Sequence, residues 1–86
     1  MDVRIPTPLR SYTDQQRVVR ADGGTIGALL EDLDRQFPGI RFRIVDEQHQ
    51  LRQHMNIYVN DRPERDLAAA ITEADEVTIM QALSGG

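Results

Sequence analysis

The chain closes on Leu83-Ser84-Gly85-Gly86, and this ending is its most specific chemical feature. Without side chains, Gly85 and Gly86 can pass a narrow channel and adopt whatever backbone angles a receiving active site demands. Their terminal carboxylate is a poor electrophile at neutral pH, because charge and resonance resist attack, so acyl chemistry at Gly86 requires prior activation. The chain offers no catalytic group of its own for that step. Asp22-Gly23-Gly24-Thr25-Ile26-Gly27 lacks the lysine of a phosphate-cradling loop and reads as a turn followed by a helix start.

An activated acyl group at Gly86 would meet few nucleophiles within its own chain. All ten basic residues are arginine and there is no cysteine, which leaves the α-amine of Met1. His49 and His54 lie five apart in a polar segment without cysteine partners and read as solvated, so no metal site is expected. Glu31, Asp32 and Asp34 fall on the solvent side of a predicted helix, where solubility and a Glu31–Arg35 pair account for them. Glu73, Asp75 and Glu76 form an acidic turn before the last strand and are also placed to steer docking toward a basic face.

The 86 residues allow one core and no deep enclosed active site. Fourteen carboxylates against ten arginines give a net charge of −4, which argues against nucleic acid and for protein partners with basic faces. No bound cofactor is implied. The lack of cysteine fits a reducing compartment, and the sequence shows neither an apolar run able to span a membrane nor a signal segment; a cytoplasmic protein is the expectation.

The elements that must carry the terminal glycines follow in simple succession. Val3 and Ile5 alternate with Asp2 and Arg4 as a first strand stopped by Pro6 and Pro8, with Leu9 a further core contact. A polar turn over residues 11–16 leads to a second strand over 17–21. Thr25 caps a helix whose Ile26, Leu29, Leu30, Leu33 and Phe37 share one face, and Pro38-Gly39 stops it. Ile40, Phe42 and Ile44 alternate like a strand, yet the run is short and directly follows a helix stop, which leaves residues 40–46 ambiguous. Met55, Ile57 and Val59 form a half-buried strand that turns at Asn60-Asp61 into a short return over 62–64. Residues 67–71 read as one or two helical turns, and residues 76–83 as the final strand. The fold class is α+β, a mixed sheet of four to five strands with one main helix packed on it.

These elements, closed by Asp75-Glu76-Val77-Thr78-Ile79-Met80-Gln81-Ala82-Leu83-Ser84-Gly85-Gly86, resemble the ubiquitin-like sulfur-carrier family of the MoaD/ThiS type over nearly the whole chain. Three stretches are most similar to carriers of the actinobacterial cysteine pathway: Ile5-Pro6-Thr7-Pro8-Leu9-Arg10, Pro38-Gly39-Ile40-Arg41 and Met55-Asn56-Ile57-Tyr58-Val59-Asn60-Asp61. Gln81 departs from the pattern, since relatives often carry proline there.

The resemblance implies a ubiquitin-like β-grasp domain over residues 1–83 with a flexible tail over 84–86, and a helical turn over 40–45, against the alternation there. It further implies that the Gly86 carboxylate is adenylated with ATP by a ubiquitin-activating-type enzyme of the MoeB/ThiF kind. A sulfur donor such as a rhodanese domain then yields a thiocarboxylate, which a pyridoxal-phosphate-dependent cysteine synthase or another acceptor consumes. The chain is thus a cosubstrate, with Gly85 and Ser84 giving the reactive carbon access. Two other readings stay open, a molybdopterin synthase small subunit and a ubiquitin-like protein modifier.

Docking requires a surface as well as a tail. Strand alternation turns Val77 and Ile79 toward the helix and leaves Thr78, Met80 and Ala82 beside Asn56 and Tyr58 on the open face. Tyr58, Thr78, Met80, Ala82 and Leu83 are the expected partner-binding residues, with Tyr58 and Met80 as anchors.

Overall fold

The structure, a computed structural model, describes residues 1–82; the expectations placed on Leu83, Ser84, Gly85 and Gly86 lie outside the described residues. Alternating apolar residues generate the sheet. In β1 (Asp2–Arg4), β3 (Met55–Val59) and β5 (Val77–Gln81), Val3, Met55, Ile57, Val59, Val77 and Ile79 all point inward and are buried. β2 (Val18–Arg20) and the two-residue β4 (Arg62–Pro63) complete five strands in the order β2-β1-β5-β3-β4. β5 thus inserts between β1, to which it is parallel, and β3, to which it is antiparallel. The mixed sheet expected from the sequence is the one formed.

The main helix, α1 (Ile26–Gln36), covers the inner face with Ile26, Leu29, Leu30 and Leu33, all fully buried. Its start is closely tied down. Thr25 Oγ1 accepts from the Ala28 N–H at 3.1 Å, while the Ile26 and Gly27 N–H groups donate to Ala69 O (3.1 Å) and Leu67 O (2.8 Å). Three donors that a helix end leaves open are therefore satisfied, one by the cap and two by a neighbouring loop.

Those two carbonyls explain one correction. Residues 67–71 do not form helical turns; they make a turn and a single bridge between Thr25 and Ala70. Asp66 caps the turn through the Ala68 N–H (2.9 Å), and Ile71 N–H donates to Gly24 O (3.0 Å). As a loop, the segment offers the Leu67 and Ala69 carbonyls to the open N–H groups at the start of α1, which have no partner within their own helix.

Residues 40–46, ambiguous from alternation alone, form α2 (Ile40–Ile44), the helical turn that the family resemblance implied. Ile40 and Ile44, four apart, both face the core at 0% exposure, and Phe42 between them points outward at 56%. Positions i and i+4 share a face in both periods and only i+2 distinguishes them, so five residues with an apolar side chain at all three could not separate the two. Gly39 opens α2 at φ 97°, a left-handed conformation that favours glycine, and Asp34 Oδ1 accepts from the Gly39 and Arg41 N–H groups at 3.1 Å each.

Pro6 and Pro8 do end regular pairing, but the chain beyond β1 stays ordered: a 3₁₀ helix, Thr7–Thr13, buries Leu9 and Thr13 and occupies much of the stretch expected as a polar turn. Proline near its start presets the required φ. Arg35 pairs with Asp32 (2.9 Å) instead of Glu31. Asp32 also accepts from the Asp22 N–H, and that bond, ahead of Arg35, holds its carboxyl below the ordinary aspartate value.

Candidate functional site

β5 brings the chain to its terminal glycines, and its anchoring decides where they start. Its last residues, Met80 and Gln81, pair with Asn56 and Met55 of β3, after which the Ala82 N–H donates to His54 O at 2.8 Å. The backbone is thus held in the sheet up to Ala82, and from there residues 82–86 at full extension would span about 17 Å at roughly 3.3 Å per residue.

The open face of the sheet brings together the expected partner-binding residues that the structure describes. Thr78 sits directly opposite Tyr58 in the β3–β5 register, and Met80 opposite Asn56. Met80 is 50% exposed, while Tyr58 and Thr78 are half-buried and Ala82 is exposed. Tyr58, Thr78 and Met80 line a shallow hollow of about 300 Å³ closed by Asn60 and Asp61. The row continues across the sheet, because Thr78 also pairs with Arg4, Arg4 with Val18, and Tyr58 with Pro63. Val18 and Met80 are two of the three large apolar residues exposed among those described, and both lie on this face.

On its other side Met80 borders a groove of about 680 Å³ that runs past Arg4, Pro6, Pro8, Arg10 and Arg17 to Gln81. Met80 is therefore a ridge between two concavities, and an unbranched thioether suits a contact that must fit more than one partner.

The acidic turn lies elsewhere. Glu76 precedes β5 at the end opposite Ala82 and pairs with Arg4 at 2.9 Å. Asp75 accepts from the Thr72 N–H (2.8 Å) and from Asn60 Nδ2 (3.0 Å); these bonds, the backbone one first, hold its carboxyl below the ordinary value. Their structural use is to fasten the Asn60 turn, where Asn60 adopts φ 58° and its N–H donates to Glu76 O at 2.7 Å.

His49 Nδ1 lies 3.4 Å from Arg41 Nη2, whereas His54 is at the start of the tail. Among the described residues no group of three or more histidines, cysteines or carboxylates is placed to hold a metal ion, and no helix is long and apolar enough to cross a membrane. The α-amino group of Met1 is engaged by Ala21 O (3.0 Å) and Asp22 Oδ1 (3.2 Å).

Sequence reasoning missed a cleft of about 330 Å³ on the helical side of Gln81. Phe42, Arg43, Arg52 and His54 line it with Pro8 and Leu9. Arg52 stacks over the Phe42 ring, 4.8 Å from its centroid, and donates through Nε to Phe42 O at 2.8 Å. Arg43 Nε donates to the Tyr12 hydroxyl at 2.9 Å. In the helical turn that the resemblance implied, the i, i+4 spacing of Ile40 and Ile44 is the signal that turns Phe42 outward.

Comparison with known proteins agrees with this geometry. The model of the ThiS family matches residues 3–86. The sulfur carrier protein CysO of Mycobacterium tuberculosis is 44% identical, the match covering 98% of this chain and 96% of that protein. The crystal structure of M. tuberculosis CysO superposes with a TM-score of 0.89 at 41% identity, covering 95% of this chain and 98% of that one. A chain of the Amycolatopsis orientalis BexX/CysO complex superposes with a TM-score of 0.90 at 35% identity, covering 99% and 98%. The sheet and its covering helix are therefore the β-grasp fold of these carriers. A family match that runs from β1 through the terminal glycines, joined to this topology, places the chain in the ThiS family as a homologue of the sulfur carrier protein CysO.

Proposed function

We propose that the chain carries sulfur as a thiocarboxylate on Gly86 and delivers it to cysteine synthesis. The supporting observation is the family match through residue 86, where the sequence ends in Gly85-Gly86. As a cosubstrate, the protein supplies the carbonyl carbon and its partners supply the catalysis. Adenylation by a MoeB/ThiF-like enzyme converts the carboxylate into a mixed anhydride; sulfide attacks the Gly86 carbonyl, AMP leaves, and the C–S bond stores the sulfur. The β-grasp domain stays outside the enzyme while Ser84 and Gly85 thread the reactive end inward.

The thiocarboxylate sulfur is a soft nucleophile suited to attack an activated serine derivative on a pyridoxal-phosphate enzyme. Offering the thiocarboxylate form to a cysteine synthase of that class and to a molybdopterin synthase large subunit separates the destinations. Transfer to the cysteine enzyme alone is the expected result; transfer to the molybdopterin subunit alone would replace this assignment. Attachment of Gly86 to lysines of other proteins would instead establish a modifier.

The open face around Tyr58 and Met80 serves as the docking surface in this reading. The A. orientalis structure, in which CysO is in complex with BexX, supports recognition by a protein partner. Tyr58→Ala and Met80→Ala should each weaken binding to the adenylating enzyme by about 1–2 kcal/mol, measured by titration calorimetry, with little change in melting temperature.

A further inference from the structure

The chain's charge is not spread evenly. The groove beside Met80 and the cleft beside Phe42 share Pro8 and Gln81, so they flank the end of β5 from the sheet side and the helical side. Their combined lining holds five of the ten arginines, Arg4, Arg10, Arg17, Arg43 and Arg52, together with His54, and none of the fourteen carboxylates. The rest of the chain then carries five arginines against fourteen carboxylates.

Arg4 is paired with Glu76, but Arg10, Arg17, Arg43 and Arg52 have no carboxylate partner among the described residues. Internal bonds to neutral oxygens hold three of them in place: Arg10 to Ile5 O (3.1 Å), Arg43 to Tyr12 Oη and Arg52 to Phe42 O. Each guanidinium has further N–H groups, and so keeps donor capacity toward an incoming anion. Phe42, at 56% exposure, gives this collar an apolar contact that core packing does not require.

We propose that these arginines and Phe42 form a second docking surface, a basic collar that seats on an acidic protein rim around the cleft receiving the tail. The inference rests on the carrier reading for the tail's purpose. The choice of occupant rests on charge: an acidic rim matches two adjoining concavities lined by arginines and no carboxylate, in a chain whose net charge is −4 and whose remainder repels it. Orientation follows, because the collar flanks the end of β5 on two sides and draws that end of the molecule in first. Arg52, stacked on Phe42, couples the apolar and ionic contacts.

The test compares Arg43→Glu/Arg52→Glu and Phe42→Ala with Arg20→Glu, a charge reversal at the far end of the sheet. In thiocarboxylate formation by a MoeB/ThiF-like enzyme, the double variant should raise KM about tenfold at low salt with kcat unchanged, and the gap should close as salt rises. Phe42→Ala should raise KM independently of salt, and Arg20→Glu should not raise it. Wild-type KM in the double variant at low salt overturns the proposal, provided its melting curve shows it folded; Arg43→Gln/Arg52→Gln replaces it otherwise.

A binding arm keeps the collar separate from the carrier reading. Isotope-labelled protein is titrated with tetraglutamate and with a DNA oligonucleotide while backbone amide shifts are followed. Peptide shifts concentrated at Arg4, Arg10, Arg17, Phe42, Arg43, Arg52 and His54, and reduced in the double variant, support the collar whether or not sulfur is acquired. Equal shifts at Arg20, Arg35, Arg41, Arg62 and Arg65, or a stronger response to DNA, overturn it. So would displacement of the same signals on deleting residues 84–86 without any probe, which would assign the collar to the chain's own tail.

Discussion

Deleting Gly86 will leave a folded domain that acquires no sulfur. The core described in residues 1–82 runs from Met1 to Ile79, and β5 is anchored through Gln81, so a truncation beyond these residues should move the melting temperature by less than about 2 °C. Activity should respond far more, because the deletion shifts the terminal carboxylate one residue short. At about 3.3 Å per residue, that displacement exceeds the tolerance of a nucleophilic attack, for which misplacement of about 1 Å can cost roughly a hundredfold. Intact mass after reaction, paired with a thermal melt, checks both parts. A stable variant that still gains sulfur would move the reactive site away from Gly86.

The largest stability effect is expected at Gly23. A Cβ built there meets Leu29 N at 2.4 Å, and Ala28 C and Leu29 Cα at 2.8 Å, all of them backbone atoms of α1. Side chains can yield by changing rotamer; a helix backbone yields only by moving, which would pull Leu29 and Leu30 out of the core. Gly23→Ala should therefore destabilise the domain by about 3 kcal/mol, lowering the melting temperature by roughly 12–24 °C for a chain of this size. Its neighbour is the control. At Gly24 an added Cβ meets nothing within 4 Å, so Gly24→Ala should change stability by no more than about 0.5 kcal/mol. Equal losses at both positions in denaturant titrations would show that turn conformation, not the close approach of β2's exit to α1, governs this corner.

The Gly23 contrast marks a boundary of sequence reading. Asp22-Gly23-Gly24 is legible as a turn, but which glycine is indispensable depends on how near α1 passes, a distance the sequence does not contain. Longer periodic segments were clear. Ile26, Leu29, Leu30 and Leu33 set the helix face, and Met55–Val59 and Val77–Gln81 set the alternation that leaves Tyr58, Thr78 and Met80 on one surface. Short segments were not, because five residues at 40–44 fit two periods, and the loop at 67–71 takes its shape from hydrogen bonds to a helix forty residues earlier.

The site shows the same division. The Gly85-Gly86 ending was readable as a motif and a family resemblance, and the open face followed from strand register. The cleft of Phe42, Arg43 and Arg52 was hidden, since it depends on α2 being a helix and on residues distant in sequence meeting beside Gln81. Net charge was misleading in its own way. An average of −4 points to basic partners, whereas the end of the molecule that leads into the tail is lined by arginines alone among the strongly charged side chains.

Sulfur acquisition at the last residue is the claim on which the rest depends. The direct measurement is intact mass, followed by fragmentation of the C-terminal peptide, after incubation with ATP, a MoeB/ThiF-like enzyme and a sulfide source. The expected result is replacement of one oxygen by sulfur, localised to Gly86, dependent on ATP, and leaving every other residue unmodified. An unchanged mass under conditions that convert a control carrier, or sulfur found elsewhere in the chain, would contradict it.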